Sequence, residues 1–252
     1  MSSASVQSRA SRRHSRAVSQ PATRSSGRTA GILLVILCSV ILLVVGARFF
    51  LAGLASFQAE AFITSWSKAE REPDARAWEI AHAAAQRAVK LSPVANGDYL
   101  DRLGRIYSWQ YFRQPYGAPV AQRSRREALQ AYRAAVAARP AWPYTWARLA
   151  HSKLYLQQFD DEFDQAFARA FALGPWRIQV NRELAEIGFQ AWPHLTADQR
   201  LAALESARRS VADGPKEAQN IRRIAQATGH LGLLCNSLTS ELRSKHPICP
   251  GR

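Results

Sequence analysis

The sequence predicts an all-α protein in which one transmembrane helix is followed by an α-solenoid of about three to four antiparallel helix pairs and a C-terminal capping helix. Two observations carry this. An uncharged apolar run extends from Ala30 to Ala47, long enough at about 1.5 Å per residue to cross the hydrocarbon of a bilayer. Beyond it, a small residue, an apolar residue and a proline recur four times in the same order, which is the mark of stacked helical repeats.

Residues 1–29 are dominated by Ser, Arg, Ala and Gln and hold almost no large apolar side chain. They cannot bury enough surface to offset the entropy of ordering a chain, so a disordered basic cytoplasmic tail is expected. Arg9, Arg12, Arg13, Arg16, Arg24 and Arg28 give the first thirty residues six positive charges and no acidic one. The net charge of +15 and pI near 10.7 would suit a nucleic-acid partner. Without that tail the balance is 28 basic against 19 acidic residues, interspersed, and no nucleic-acid partner is expected.

The transmembrane helix is expected over residues 30–55, where the chain meets membrane lipid. After the uncharged run come Arg48, which can snorkel to the headgroups, and then Phe49, Phe50, Leu51 and Leu54. The Arg-rich flank belongs on the cytoplasmic side, which sends the C-terminal domain across the membrane. A cleaved signal peptide is the competing reading, with Val45-Gly46-Ala47 as the cleavage site, but the run and its leader are long for one. Cys38 lies inside the run after Leu37, so it is read as membrane filler and not as a lipoprotein cysteine.

The repeat spans residues 56–215. Its four copies end in Ala88-Val-Lys-Leu-Ser-Pro93, Ala135-Val-Ala-Ala-Arg-Pro140, Ala170-Phe-Ala-Leu-Gly-Pro175 and Ser210-Val-Ala-Asp-Gly-Pro215. The small residue stands five before the proline, and Ala85, Tyr132, Phe167 and Ala207 stand eight before it on the same helical face. A small residue there allows close helix approach, and the proline closes the second helix of each pair. The prolines are 47, 35 and 40 residues apart. Ser124-x-x-Glu127 and Thr196-x-x-Gln199 read as capping boxes opening second helices, and Pro143 fits a first helical turn. Residues 216–252 read as a capping helix and tail.

The first helices carry the other half of a known pattern. Leu100, Leu103, Gly104 and Tyr107 fall at the W-x2-L-G-x2-Y positions; Trp146, Leu149 and Ala150 do so in the next unit, and Leu184 and Ala185 in the one after. The domain therefore resembles tetratricopeptide repeats over roughly residues 70–215. It departs from them at Asn181, where an aromatic is usual, and at Lys153, where Tyr is usual. The resemblance implies that Ala88, Leu103, Gly104, Tyr107, Ala135, Trp146, Leu149 and Ala170 pack the repeats.

The second unit holds an insertion of about a dozen residues from Gln110 to Arg123, rich in aromatics, prolines and arginine. Long loops in compact repeats are more often functional than accidental. Trp109, Tyr111, Phe112, Arg113 and Tyr116, with Arg125, Arg126 and Arg133 beside them, are the candidate partner or glycan surface. Alternatively the rings fold back over the first helix pair. Trp142, Trp146, Trp176 and Trp192 read as core or helix-junction packing.

No catalytic constellation emerges. The six histidines lack metal spacing, with His82 and His151 read as structural. There is no H-E-x-x-H, G-x-S-x-G or phosphate-cradling glycine loop. Asp160, Asp161, Glu162 and Asp164 lack the glycine and spacing of a calcium loop and suit the first turn of a helix. The chain is expected to be non-catalytic, without metal or other cofactor. Cys235 and Cys249 either form a disulfide, as an oxidising compartment permits, or stand as two unpaired thiols.

The anchor, the stretched repeats and the segment Asp98-Tyr-Leu-Asp-Arg-Leu-Gly-Arg-Ile-Tyr-Ser-Trp109 together resemble the small membrane proteins encoded with bacterial exopolysaccharide biosynthesis machinery. That resemblance implies an inner-membrane protein with a periplasmic domain that docks an envelope protein such as a polysaccharide polymerase or glycosyltransferase. A glycan-binding module, and an assembly factor for another cell-envelope complex, are the alternatives.

Overall fold

The computed structural model describes residues 24–250; most of the basic tail expected over 1–29 lies outside the described residues. Those residues form eleven helices and no strand. Helix α1, Arg24–Ala69, begins inside the expected tail and passes the expected boundary at residue 55 unbroken. No proline interrupts it, and a nucleated helix gains a hydrogen bond with each further residue.

The described residues divide into two units, 24–45 and 46–250. In the first, α1 presents its apolar side chains outward, with Leu42 71% exposed, and the helix is long and apolar enough to cross a membrane.

The second unit takes up the rest of α1. Sharing a core cluster with it is α2, Ala75–Leu91, after which α3, Gly97–Trp109, pairs with α4, Gln122–Ala138. Then α5, Pro143–Tyr155, pairs with α6, Asp161–Leu173, and α7, Ile178–Gln190, with α8, Ala197–Asp213. The end is closed by α9, Pro215–Ala227, α10, Leu231–Ser237, and α11, Ser240–Lys245. First helices lie against one another, α5 on α7 and α7 on α9, and the second helix α6 lies on α8. This is a helical solenoid of four pairs and a cap.

Residues 46–55, expected in the membrane, belong to this unit. Ala52, Ala55, Ser56 and Ala59 are buried along α1, and Ala59, Ile63 and Trp66 share a core cluster with Ala81, Ala84 and Ala85 of α2. Arg48 likewise does not have to reach headgroups. Its Nε and Nη2 donate to the carbonyls of Leu91 and Lys90 at the C-terminal end of α2, each at 3.2 Å, where a cation complements the helix dipole.

The recurring positions lie at helix contacts. Ala88, Ala135, Ala170 and Ser210, each five before a proline, are all buried, as are Ala85, Tyr132, Phe167 and Ala207. The prolines follow the ends of α2, α4, α6 and α8, and Pro215 is also the first residue of α9. Leu149, Ala150, Leu184 and Ala185 are buried, whereas Leu103, Tyr107 and Trp146 are only partly so. At the two departures from the pattern, local polar partners replace the usual ring. The Asn181 amide donates to the carbonyls of Pro175 and Arg177. Lys153, 1% exposed, gives its amine to Asp160 at 2.5 Å and Glu162 at 2.9 Å.

The caps are partly as expected. Asp74, Asn96 and Asp160 accept backbone N–H bonds at the starts of α2, α3 and α6, and Thr196 with Gln199 forms the capping box of α8. Ser124 does not cap. A 3-10 turn over Pro119–Ala121 leads directly into α4, so Ser124 already lies inside the helix and donates to the Ala121 carbonyl. The cap at the other end has more helices than expected, and Cys235 and Cys249 are joined by a disulfide beside buried Leu234 and Ile248.

Gly104 marks a tight seam between α3 and α4. A Cβ there would meet the Tyr132 ring at 2.6 to 2.9 Å, closer than real contacts allow. Gly104→Ala should therefore destabilise the domain by about 1–3 kcal/mol. Gly232, which has open space around it, should tolerate alanine with no loss. Thermal melts of the two variants check this, and equal melting temperatures would mean that α3 and α4 are not packed as described.

Candidate functional site

The first helices line a groove. Its floor is aromatic: Trp109 at the end of α3, Phe112 just beyond it, Tyr132 of α4 and Tyr155 of α5 border a cavity of about 310 Å³. Its walls are charged, with Arg105 from α3, Arg148 and His151 from α5 and Glu183 from α7. Tyr144, Gln179, Arg182 and Glu186 continue it along α5 and α7.

These charges are paired across the seams between successive first helices. Glu60 of α1 accepts from Arg102 at 2.6 Å and Arg105 at 2.9 Å. Asp101 of α3 accepts from Arg148 at 2.6 Å and Thr145 at 3.0 Å of α5. His151 of α5 meets Glu183 of α7 at 3.2 Å, and Arg182 of α7 donates to Glu217 of α9 at 2.9 Å. Each seam thus carries one ionic rung. Burial works against the charge on Glu60, but its two arginines hold its carboxyl below the usual range.

His151 is the chemically distinctive group. Burial opposes its charge, yet the hydrogen bond its Nδ1–H donates to Glu183 and the fields of Glu186 and Glu183 hold its pKa above the ordinary imidazole value. Its Nδ1 faces Glu183, while Nε2 is buried without a partner. No nucleophile is bonded to that nitrogen, and the nearby Ser108 hydroxyl is committed to the Gly104 carbonyl and Tyr132. The arrangement can hold a proton and donate it in a hydrogen bond, but it lacks the nucleophile–base contact of covalent catalysis.

The inserted segment divides the candidate surface residues among several roles. Trp109 packs against Trp66 at 6.2 Å and edge-on to Phe112 at 4.6 Å, and both Trp109 and Phe112 border the groove. Tyr111 faces a different cavity, beside Trp78 and His82. Tyr116 packs on Tyr155 at 5.0 Å, and burial raises its phenol pKa. Arg113 is exposed, with its backbone N–H on Glu72.

Arg125 corrects the expectation of a free surface arginine. It is 5% exposed, and its guanidinium donates to the carbonyls of Gln114 at 2.6 Å, Pro115 at 2.8 Å and Tyr155 at 3.2 Å while stacking over the Tyr155 ring. Gly117, at φ 74°, turns the segment so that its N–H reaches the same Tyr155 carbonyl at 2.9 Å. Arg125 therefore holds the loop down. Arg133 is tied to Glu162 at 2.5 Å on the α6 side, and Arg126 is exposed beside Gln122, so neither borders the groove.

Other expectations resolve in the same way. Asp160 caps α6 and, with Glu162, holds Lys153. Trp176 is 88% exposed in the turn before α7 and is not a packing residue, while Trp192 packs on two core clusters. His82 and His151 are in ring stacks, but each leaves Nε2 unpartnered. Arg105, Arg148, Tyr155 and Glu183 were not singled out from sequence. The signal that could have found them is a polar stripe at helical spacing, Asp101-Arg105, Arg148-His151-Tyr155 and Glu183-Glu186, on the face away from the buried stripe. The chain matches no protein-family model and no curated protein.

Two outcomes follow. Arg125→Ala should release the 110–118 segment and cost about 2 kcal/mol, because three carbonyls lose their donor; hydrogen exchange confined to that segment would show it. The His151–Glu183 pair stabilises the fold when the imidazole is charged, so its contribution is present below about pH 6.5 and lost as pH rises through the higher folded pKa. Melting temperature should therefore decline over that rise, and His151→Gln should flatten the profile.

Proposed function

We propose that this chain is a membrane-anchored, non-catalytic adaptor that supports bacterial exopolysaccharide biosynthesis by holding an extended segment of another envelope protein in the groove between its first helices. Residues from 30 onward cross the inner membrane with the N-terminus cytoplasmic, and the helical repeats stand in the periplasm. The partner is a protein such as a polysaccharide polymerase or glycosyltransferase.

The observation that carries this reading is the groove itself. Aromatic rings at its centre offer anchors for apolar side chains, and paired charges along its walls offer hydrogen bonds at repeating intervals, the combination that stacked helix pairs use to grip extended chains. Three further features support it. The basic flank favours a cytoplasmic N-terminus. The Cys235–Cys249 bond suits an oxidising compartment. The tetratricopeptide-like pattern and the Asp98–Trp109 segment resemble proteins of polysaccharide clusters.

A sugar platform on the inserted loop finds less support, because Trp109 and Phe112 meet edge-on at 61° and Tyr116 packs against the core.

A C-terminal reporter active only outside the cytoplasm should give signal, and a photo-crosslinking amino acid at Phe112 or Glu186 should capture a polymerase or glycosyltransferase in the same cells, while one at Trp176 should not. Signal inside the cell would overturn the orientation. Capture from position 176 but not from the groove would overturn the binding face.

A further inference from the structure

A second cavity, of about 510 Å³, lies apart from the groove. Four walls enclose it: α2, the end of α3, the inserted segment and the start of α4. It owes one wall to the insertion that stretches the first proline spacing to 47 residues against 35 for the next, because Tyr111 and Val120 come from that segment.

Its lining combines flat apolar faces with planar hydrogen-bonding groups. Trp78 stacks on His82 at 4.6 Å and 17°, and Tyr107 lies 4.8 Å from the same imidazole. Tyr111 adds a fourth, half-buried ring at the edge. Between them stand Glu127, Arg123 and the amides of Gln86 and Gln110. His82 Nε2 is buried and without a partner. Burial holds the His82 pKa below the ordinary value even though the field of Glu127 opposes that shift, which favours the neutral ring as a flat wall of the cavity.

The charge balance selects the ligand class. Arg123 and Glu127 stand one turn apart on α4 and offset each other. An anion would need surplus positive charge here, and an organic cation would need a carboxylate without an adjacent arginine. A neutral ring with many hydroxyls and apolar C–H faces uses both parts of the lining: the aromatic rings take its C–H groups, and the carboxylate, guanidinium and amides take its hydroxyls. The geometry points to a glycan subsite at Trp78, His82, Tyr107, Tyr111, Arg123 and Glu127 that accepts a neutral hexose unit. This site is independent of the protein partner in the groove and would bring the adaptor into direct contact with a polymer chain.

The test uses the full chain in lipid nanodiscs with neutral tetraoses of glucose, mannose and galactose, beside a uronic-acid tetraose and choline, read by saturation-transfer NMR and titration calorimetry. At least one neutral tetraose should bind. Tyr111→Ala and Glu127→Gln should each weaken it about tenfold or more, with helicity unchanged by circular dichroism. Trp176→Ala, which removes an exposed ring outside the cavity, should leave affinity as it is. Binding of the uronate or choline alone, no binding of any neutral tetraose, or binding indifferent to both cavity variants would each overturn the subsite, and none of these results bears on crosslinks made from the groove.

Discussion

Each first helix of the solenoid is tied to the next by a charged pair, Glu60 to Arg102 and Arg105, Asp101 to Arg148, His151 to Glu183, and Arg182 to Glu217. These pairs are mostly half-buried, so each contributes modestly to stability on its own. Their larger effect is on geometry. Leaving one partner unpaired at a half-buried seam is costly, and the four rungs therefore set the lateral spacing at which α1, α3, α5, α7 and α9 can stack.

That spacing decides what the groove is. The small residues on the other faces, Ala88, Ala135, Ala170 and Ser210, draw the paired helices together, while the rungs hold the first helices side by side with their polar stripes toward solvent. Between the rungs, the Trp109, Phe112 and Tyr155 rings remain accessible. A surface built in this way has rigid anchors and little side-chain freedom to lose when something binds to it.

The insertion between α3 and α4 borders two separate cavities. Arg125 and Gly117 fasten its later half to the end of α5. Its earlier half splits at adjacent residues, with Tyr111 toward the α2 cavity and Phe112 toward the groove. Neighbouring side chains on a tight turn point in different directions, so composition alone raised the loop as a candidate surface but could not say that its rings part company. The same limit hid Arg125, which reads as a surface arginine and serves as a buried clamp because three carbonyls converge on it.

By itself, the sequence determined the elements: an apolar helix, repeated pairs, small residues at close contacts and prolines at the ends of second helices. These are local consequences of periodicity, side-chain volume and backbone restriction. Only the tertiary structure decided that α1 continues into the first pair, that Arg48 caps α2, and which charges meet across the seams. Those partners lie between 32 and 47 residues apart in the chain. Their meeting depends on how far each helix is rotated about its own axis when it packs, which no local pattern encodes.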